Sequence, residues 1–304
     1  MPAPNYPYLP PGRAFKYVPA DHPFMQAAEE ARRTLAGDRV FPVGAVLVKD
    51  GAVVTDAGNG WSRGRDGGHV CPRFVRSCPT GTGYDLCGDF HEPSGHAEPM
   101  LIKRARKCGI DPAGADVYMN GHWWCCEPCW QAMIDAGIRD VYLLEDAHGR
   151  FSKEVLTAAM RPSIRSIYVS GGLTNLPDDV RDGHKAWYER IGAAAEELGV
   201  RAYVPHLHSD PERHAHFSPR EVYDMDVAQV RAADAVVADV TYPSLGTGGG
   251  LDVAHAAGKP IILVSKKDSR VTRYTRGIPS VVYHIEYETE ADGLRQLQNV
   301  LKQL

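Results

Sequence analysis

Two short clusters of metal-ligating side chains do most to limit the folds open to this chain. His96-Ala97-Glu98 stands at the head of one helical pattern. Cys126-Glu127-Pro128-Cys129 stands at the head of another, and the apolar strand pattern Val117-Tyr118-Met119 lies between them. One imidazole and two thiolates suit zinc and leave one tetrahedral position open, the arrangement of a catalytic rather than a structural site. The helix dipoles at both ligand segments favour thiolate and an anionic oxygen. Glu98, two residues beyond the ligand histidine, can reach a water in the open position without binding the metal, and so can carry its proton. Cys126-x-x-Cys129 alone would suit half of a structural zinc site or a redox pair; the His-x-Glu upstream argues for catalysis.

The chain around these clusters reads as α/β. Residues 1–22 are proline-rich and aperiodic, an extended arm ahead of the first domain. From Pro23 to Ala36 the apolar residues recur at helical spacing, and Val40–Val48 with Ala52–Ala57 reads as a hairpin turning at Lys49-Asp50-Gly51. With Pro42-Val-Gly-Ala-Val-Leu-Val, Gly58-Asn59-Gly60 and Ala136-Gly137-Ile138 added to the two clusters, residues 22 to 146 resemble the deoxycytidylate (dCMP) and cytidine deaminase family. The resemblance implies a cytidine-deaminase-like αβα domain over residues 23–160 and one catalytic zinc on His96, Cys126 and Cys129. It also implies Glu98 as proton carrier and Asn59 on the sugar; Ala97 and Trp124 are further substrate-binding candidates, a tryptophan pair suiting core packing as well as base stacking. Two departures stand out. Cys125 occupies a position that is usually proline, and His122-Trp123-Trp124 makes the approach unusually aromatic.

Between the hairpin and the first cluster lies a Gly- and Cys-rich insert, residues 58–95. Cys71, Cys78, Cys87 and His91, with His69 nearby, are candidates for a second, structural zinc that staples a loop too poor in apolar residues to fold alone. Scattered buried thiols are the other reading. Arg63, Arg65, Arg73 and Arg76 are candidates for gripping a 5′-phosphate, because guanidinium forks match phosphate oxygens.

From residue 163 to 304 strands and helices alternate, which predicts a doubly wound parallel sheet, Rossmann-like, with its site at the strand C-termini. Asp234 to Val240 is a continuous apolar strand, and a helix is expected from Leu251 after a glycine loop. Ser170-Gly171-Gly172, Tyr223-x-x-Asp226, Pro243-Ser244-x-Gly246-x-Gly248 and Gly258-Lys259-Pro260 resemble the nucleoside 2-deoxyribosyltransferase superfamily, nearest its nucleotide N-glycosidase branch. That likeness implies a nucleotide site formed by Ser170, Gly171, Gly172, Asp226, Ser244, Gly246 and Gly248. Ser244 and the Ser170–Gly172 amides would hold a 5′-phosphate, and Asp226 the sugar or base. The family's nucleophilic glutamate falls at Gly250, and glycine cannot form a glycosyl-enzyme bond. Asp252 is the carboxylate two residues further on. The expectation is a domain that binds a nucleotide without cutting it.

The chain has 304 residues, 43% of them apolar, enough for two domains with cores of their own. A net charge of −4 without a basic run argues against a nucleic-acid backbone as partner. There is no apolar run of about 18 residues, no signal peptide and no lipidation motif. A cytoplasmic protein with no membrane partner is therefore expected. Seven cysteines read as thiols and metal ligands rather than a disulfide framework. The leading expectation is a zinc-dependent hydrolase that deaminates a free cytosine nucleotide, dCMP or CMP. A nucleotide ligand is expected at the C-terminal domain, and a homo-oligomer, since both families commonly assemble. One alternative is a bifunctional deaminase and nucleotide N-glycosidase that releases free base; another is a regulatory protein whose second domain senses a nucleotide.

Overall fold

The structure is a computed structural model that describes residues 7–60, 70–86, 95–174 and 176–304. It divides into two compact units, one ending at Met160 and one running from Arg161 to Leu304. In the first, β1 (Phe15–Val18), α1 (Pro23–Leu35) and the hairpin β2 (Gly44–Lys49) and β3 (Ala52–Gly58) precede a short helix α2 (Pro72–Val75). Then come α3 (Ala97–Lys107), β4 (Asp116–Asn120), α4 (Glu127–Asp135), β5 (Val141–Leu144), α5 (Ala147–Phe151) and α6 (Lys153–Ala159). The sheet order is β1-β5-β4-β2-β3, parallel from β1 to β4 and antiparallel from β4 to β3.

The hairpin turns at Asp50 and Gly51, both with positive φ (52° and 78°), the twist that a two-residue connection between right-twisted strands needs. Helix α1 lies so close over β2 that a Cβ on Gly44 would sit 2.0 Å from the backbone nitrogen of Arg32. The proline-rich arm is not separate from this unit: its residues Phe15–Val18 pair with Val141–Leu144 as the edge strand β1. Pairing with β5 supplies the backbone partners that a four-residue strand cannot find alone. Leu47, Leu101, Met119, Trp130 and Leu143 form the buried centre, with α3 and α4 starting at the same end of the sheet.

The second unit contains β6 (Ser166–Ser170), α7 (Asp178–Glu196), β7 (Arg201–Tyr203), α8 (His206–Ser209), α9 (Pro219–Ala232) and β8 (Ala235–Asp239). It continues with α10 (Leu245–Ala256), β9 (Ile261–Lys266), α11 (Arg273–Arg276), β10 (Val281–Tyr287) and α12 (Glu290–Leu301). All its strand pairs are parallel, in the order β10-β9-β8-β6-β7. The chain order therefore reverses between β6 and β8, which opens a crevice at their C-terminal ends. Helix α10 starts at Leu245, six residues before the expected Leu251, so Gly246, Gly248, Gly249 and Gly250 are helical rather than loop. Ser244 caps this helix, its Oγ accepting from the Thr247 N–H at 3.3 Å. Burial of Thr247 and Leu251 holds the glycines in the helix despite their low propensity.

Candidate active site

The metal-ligating triad assembles as the spacing requires. His96 is the N-cap of α3 and Cys126 the N-cap of α4, with Cys129 in that helix's first turn. His96 Nδ1 lies 3.3 Å from Cys129 Sγ and 3.4 Å from Cys126 Sγ, and the two sulfurs are 3.3 Å apart. Ligands at zinc bond lengths in a tetrahedron would stand about 3.6–3.8 Å apart, so this donor set fits a zinc within a few tenths of an ångström. A hydrogen bond with Cys129 draws the Cys126 thiol down to about 5, giving the site a ready thiolate. Among the described residues no fourth His, Cys, Asp or Glu joins these three. Cys125 is buried beside them but hydrogen-bonds to Glu98. Glu98 is itself buried, and that burial pushes its carboxyl up.

A cavity opens from the triad, bounded by Asn59, Arg73, Tyr84, His122, Trp123 and Lys153, among others. Ala97 and Trp124 also line it. Asn59, the expected sugar ligand, lines the cavity; its Oδ1 accepts from Val43 N–H at 2.8 Å and its Nδ2 donates to Phe41 O at 2.9 Å, which leaves one N–H and one lone pair of the amide for a ligand. Both ends of the amide thus fix the wall. Trp124 is buried and packs in the core as well as on the cavity. Burial lowers His122 to about 3, and its Nδ1 accepts from the Trp123 N–H at 3.1 Å, leaving Nε2–H as a neutral donor. His122 stands out in the sequence only as part of an aromatic run, and nothing in the pattern singles out Tyr84 or Lys153. Only the fold brings them here.

The second zinc set is only partly described. Cys71 is buried against Val40 and Phe74 and lines the cavity, and Cys78 is half-buried. Cys87, His91 and His69 lie outside the described residues, as do Arg63 and Arg65. Of the two remaining arginines, Arg73 lines the cavity and Arg76 is exposed.

In the second unit the crevice between β6 and β8 gathers most of the expected residues. A Cβ on Gly172 would sit 3.1 Å from the Ser244 Cβ, and one on Gly250 would face Ser170 Oγ at 3.9 Å. Gly171 lies against the Tyr188 ring, where a Cβ would collide at 2.3 Å, and the Tyr188 hydroxyl donates to Gly172 O at 2.9 Å. Asp226, on α9, accepts a hydrogen bond from the hydroxyl of Tyr168 on β6, a partner that sequence reasoning missed. Asp226 Oδ1 and the Tyr203 hydroxyl are buried without a hydrogen-bond partner among the described residues. Burial pushes the Asp226 carboxyl up. Asp252 is exposed and accepts from the Tyr274 hydroxyl at 3.4 Å. It stands two residues, about 200° around the helix, from Gly250, on another face than the crevice.

Comparison with known proteins agrees with this division. Residues 19–145 match the family described as the cytidine and deoxycytidylate deaminase zinc-binding region, and residues 167–297 match nucleoside 2-deoxyribosyltransferase. The chain joins these two families. A candidate 2′-deoxynucleoside 5′-phosphate N-hydrolase of Thermofilum pendens is 30% identical over 37% of this chain and 82% of its own length. A protein of the same name from Trichoplax adhaerens is 32% identical over 40% of this chain and 83% of its own. The 5-hydroxymethyl-dUMP N-hydrolase of Mus musculus is 33% identical over 34% of this chain and 59% of its own. Among solved structures, a Clostridium botulinum CMP N-glycosidase is 23% identical over 44% of this chain and 97% of its own, with a TM-score of 0.34. In the deaminase unit the match ends at 145, so α5 and α6, which bring Phe151, Lys153 and Leu156 to the cavity, lie beyond it. The deoxyribosyltransferase unit matches across β6 to α12. No helix among the described residues is long and apolar enough to cross a membrane.

Proposed function

We propose that the chain hydrolyses pyrimidine nucleoside 5′-monophosphates at two sites, deaminating a cytosine nucleotide in the first unit and breaking the N-glycosidic bond of the product in the second. The observation that carries the first step is the convergence of His96, Cys126 and Cys129 beside a buried Glu98. Zinc in that donor set would supply a Lewis acid that lowers the pKa of a water toward neutrality. Glu98 would take that water's proton and return it to the leaving amine, so that water oxygen replaces nitrogen at C4 and ammonia departs. His122 Nε2–H and the Trp123 ring would hold the base edge and face.

Relatives named as nucleotide N-hydrolases, aligned over four-fifths of their length, support cleavage in the second unit. Position 250 is glycine, so a covalent route through it is closed. Asp226 is the carboxylate we assign to cleavage; Asp239, which ends β8, is buried as well but is already engaged by the Trp187 Nε1–H and the Thr241 N–H. Oriented by Tyr168 and carrying an unpartnered oxygen, Asp226 would accept the proton of a water attacking C1′ as the base leaves. A second reading, a unit that binds the nucleotide without cutting it, is favoured by the same glycine. Chromatography of UMP and dUMP incubations separates the two. Free uracil released by the wild type, with about 10²-fold or greater loss in Asp226→Asn, supports cleavage. Binding without uracil release leaves the sensing role. Because burial raises Asp226, its cleavage activity should fall on the acid side at a pH above the usual carboxylate range.

A further inference from the structure

Within the deaminase unit's cavity stand two cations that the metal chemistry does not use. Arg73, in α2, has its guanidinium 4.0 Å over the Tyr84 ring, and that ring lies 5.7 Å from the ring of His96. Lys153 opens α6, lines the same cavity and donates to the Cys78 carbonyl. Arg73 is close enough to be felt as a like charge by Lys153, His96 and His122. Among the described residues neither Arg73 nor Lys153 is in an ion pair. Asp38 and Glu98 also line this cavity, but bringing two half-buried cations together still costs free energy, which an anionic ligand recovers.

We propose that Arg73 and Lys153 form an anion subsite that selects a nucleoside 5′-monophosphate over the uncharged nucleoside, an inference that rests on reading this unit as a nucleotide deaminase. The guanidinium over Tyr84, and Tyr84 beside His96, lie in succession, as phosphate, sugar and base do in a nucleotide. Arg73 offers a planar fork held by its Nε–H to the Thr82 carbonyl at 2.7 Å, leaving its terminal N–H groups for phosphate oxygens. Lys153 adds a point charge from a helix that lies beyond the deaminase match.

Two readouts on the full, zinc-loaded chain test this. In the first, acetic anhydride labelling of Lys153 is followed by peptide mass spectrometry with CMP, dCMP, cytidine or deoxycytidine present. The monophosphates should slow labelling several-fold, the nucleosides should not, and Arg73→Met should remove the protection. In the second, the ratio of kcat/KM for monophosphate to that for nucleoside should fall by about 10- to 100-fold in Lys153→Met, the worth of one charge-assisted hydrogen bond. Lys153→Arg should recover most of the ratio. Lys153 labelling that ignores CMP and dCMP, or a ratio that survives Lys153→Met, would overturn the proposal. Protection without turnover of either substrate would uphold the anion subsite and remove the deaminase reading instead.

Discussion

Single residues decide most of the chemistry. Glycine at position 250 leaves the crevice without the carboxylate that the deoxyribosyltransferase likeness places there, yet the space is open, with Ser170 Oγ the nearest atom at 3.9 Å. Gly250→Glu should therefore fold and should raise N-glycosidic turnover by on the order of 10²-fold or more, since removing catalytic groups elsewhere costs 10⁴–10⁶. Free-base release measured by chromatography checks it; unchanged release would mean that the crevice does not present C1′ to this position. The metal triad was legible in the sequence, because His-x-Glu and Cys-x-x-Cys each need only local backbone to place their ligands. Asp226 was named from its motif, but its Tyr168 partner was not, since that hydrogen bond spans two elements 58 positions apart in the chain. Asn59 was named as a sugar ligand from its motif alone; that the same amide also braces the main chain of residues 41–43 is a tertiary feature with no signal in the sequence.

At the level of elements, contacts between neighbours override local preference. The Phe15–Val18 strand lay in a proline-rich stretch with too few residues to carry a periodic signal, and its register with β5 is a tertiary effect. The same holds for α10, where Ser244 and the buried Thr247 and Leu251 turn a glycine run into helix. Helix α1 sits on β2 only because Gly44 has no side chain. Gly44→Ala should cost about 3 kcal/mol, the upper range for overpacking, with a lower Tm in thermal unfolding. In the second unit α7 and α8 are tied by Lys185, whose Nζ lies 2.6 Å from the buried Asp210 Oδ2. Burial alone would raise the Asp210 carboxyl, but Lys185 and the Glu212 and Arg213 N–H groups hold it at about 2. Its contribution is therefore fully present above about pH 4 and disappears as pH falls toward 2, so Asp210→Asn should cost about 2 kcal/mol at neutral pH and little below pH 2. Urea melts of both proteins across that range measure the difference. An equal cost at both ends would mean that packing, not charge, links the helices.

For the whole molecule, the fold class and the order of the two families along the chain follow from the alternation of strands and helices and from two well-spaced motif sets. The cavity wall does not. Lys153 and Phe151 belong to helices beyond the deaminase match, with no motif of their own, and only tertiary placement brings them to the site. The central claim is that the product of one unit is the substrate of the other. Its most direct test is a time course of CMP and dCMP with the zinc-loaded chain, read by mass spectrometry for uracil nucleotide and free base. The account predicts uracil nucleotide first and free uracil after it. It also predicts that Glu98→Gln abolishes both products from cytosine nucleotides while still releasing uracil from UMP or dUMP. Free cytosine appearing without prior deamination, or uracil nucleotide formed as fast by Glu98→Gln as by the wild type, would contradict it.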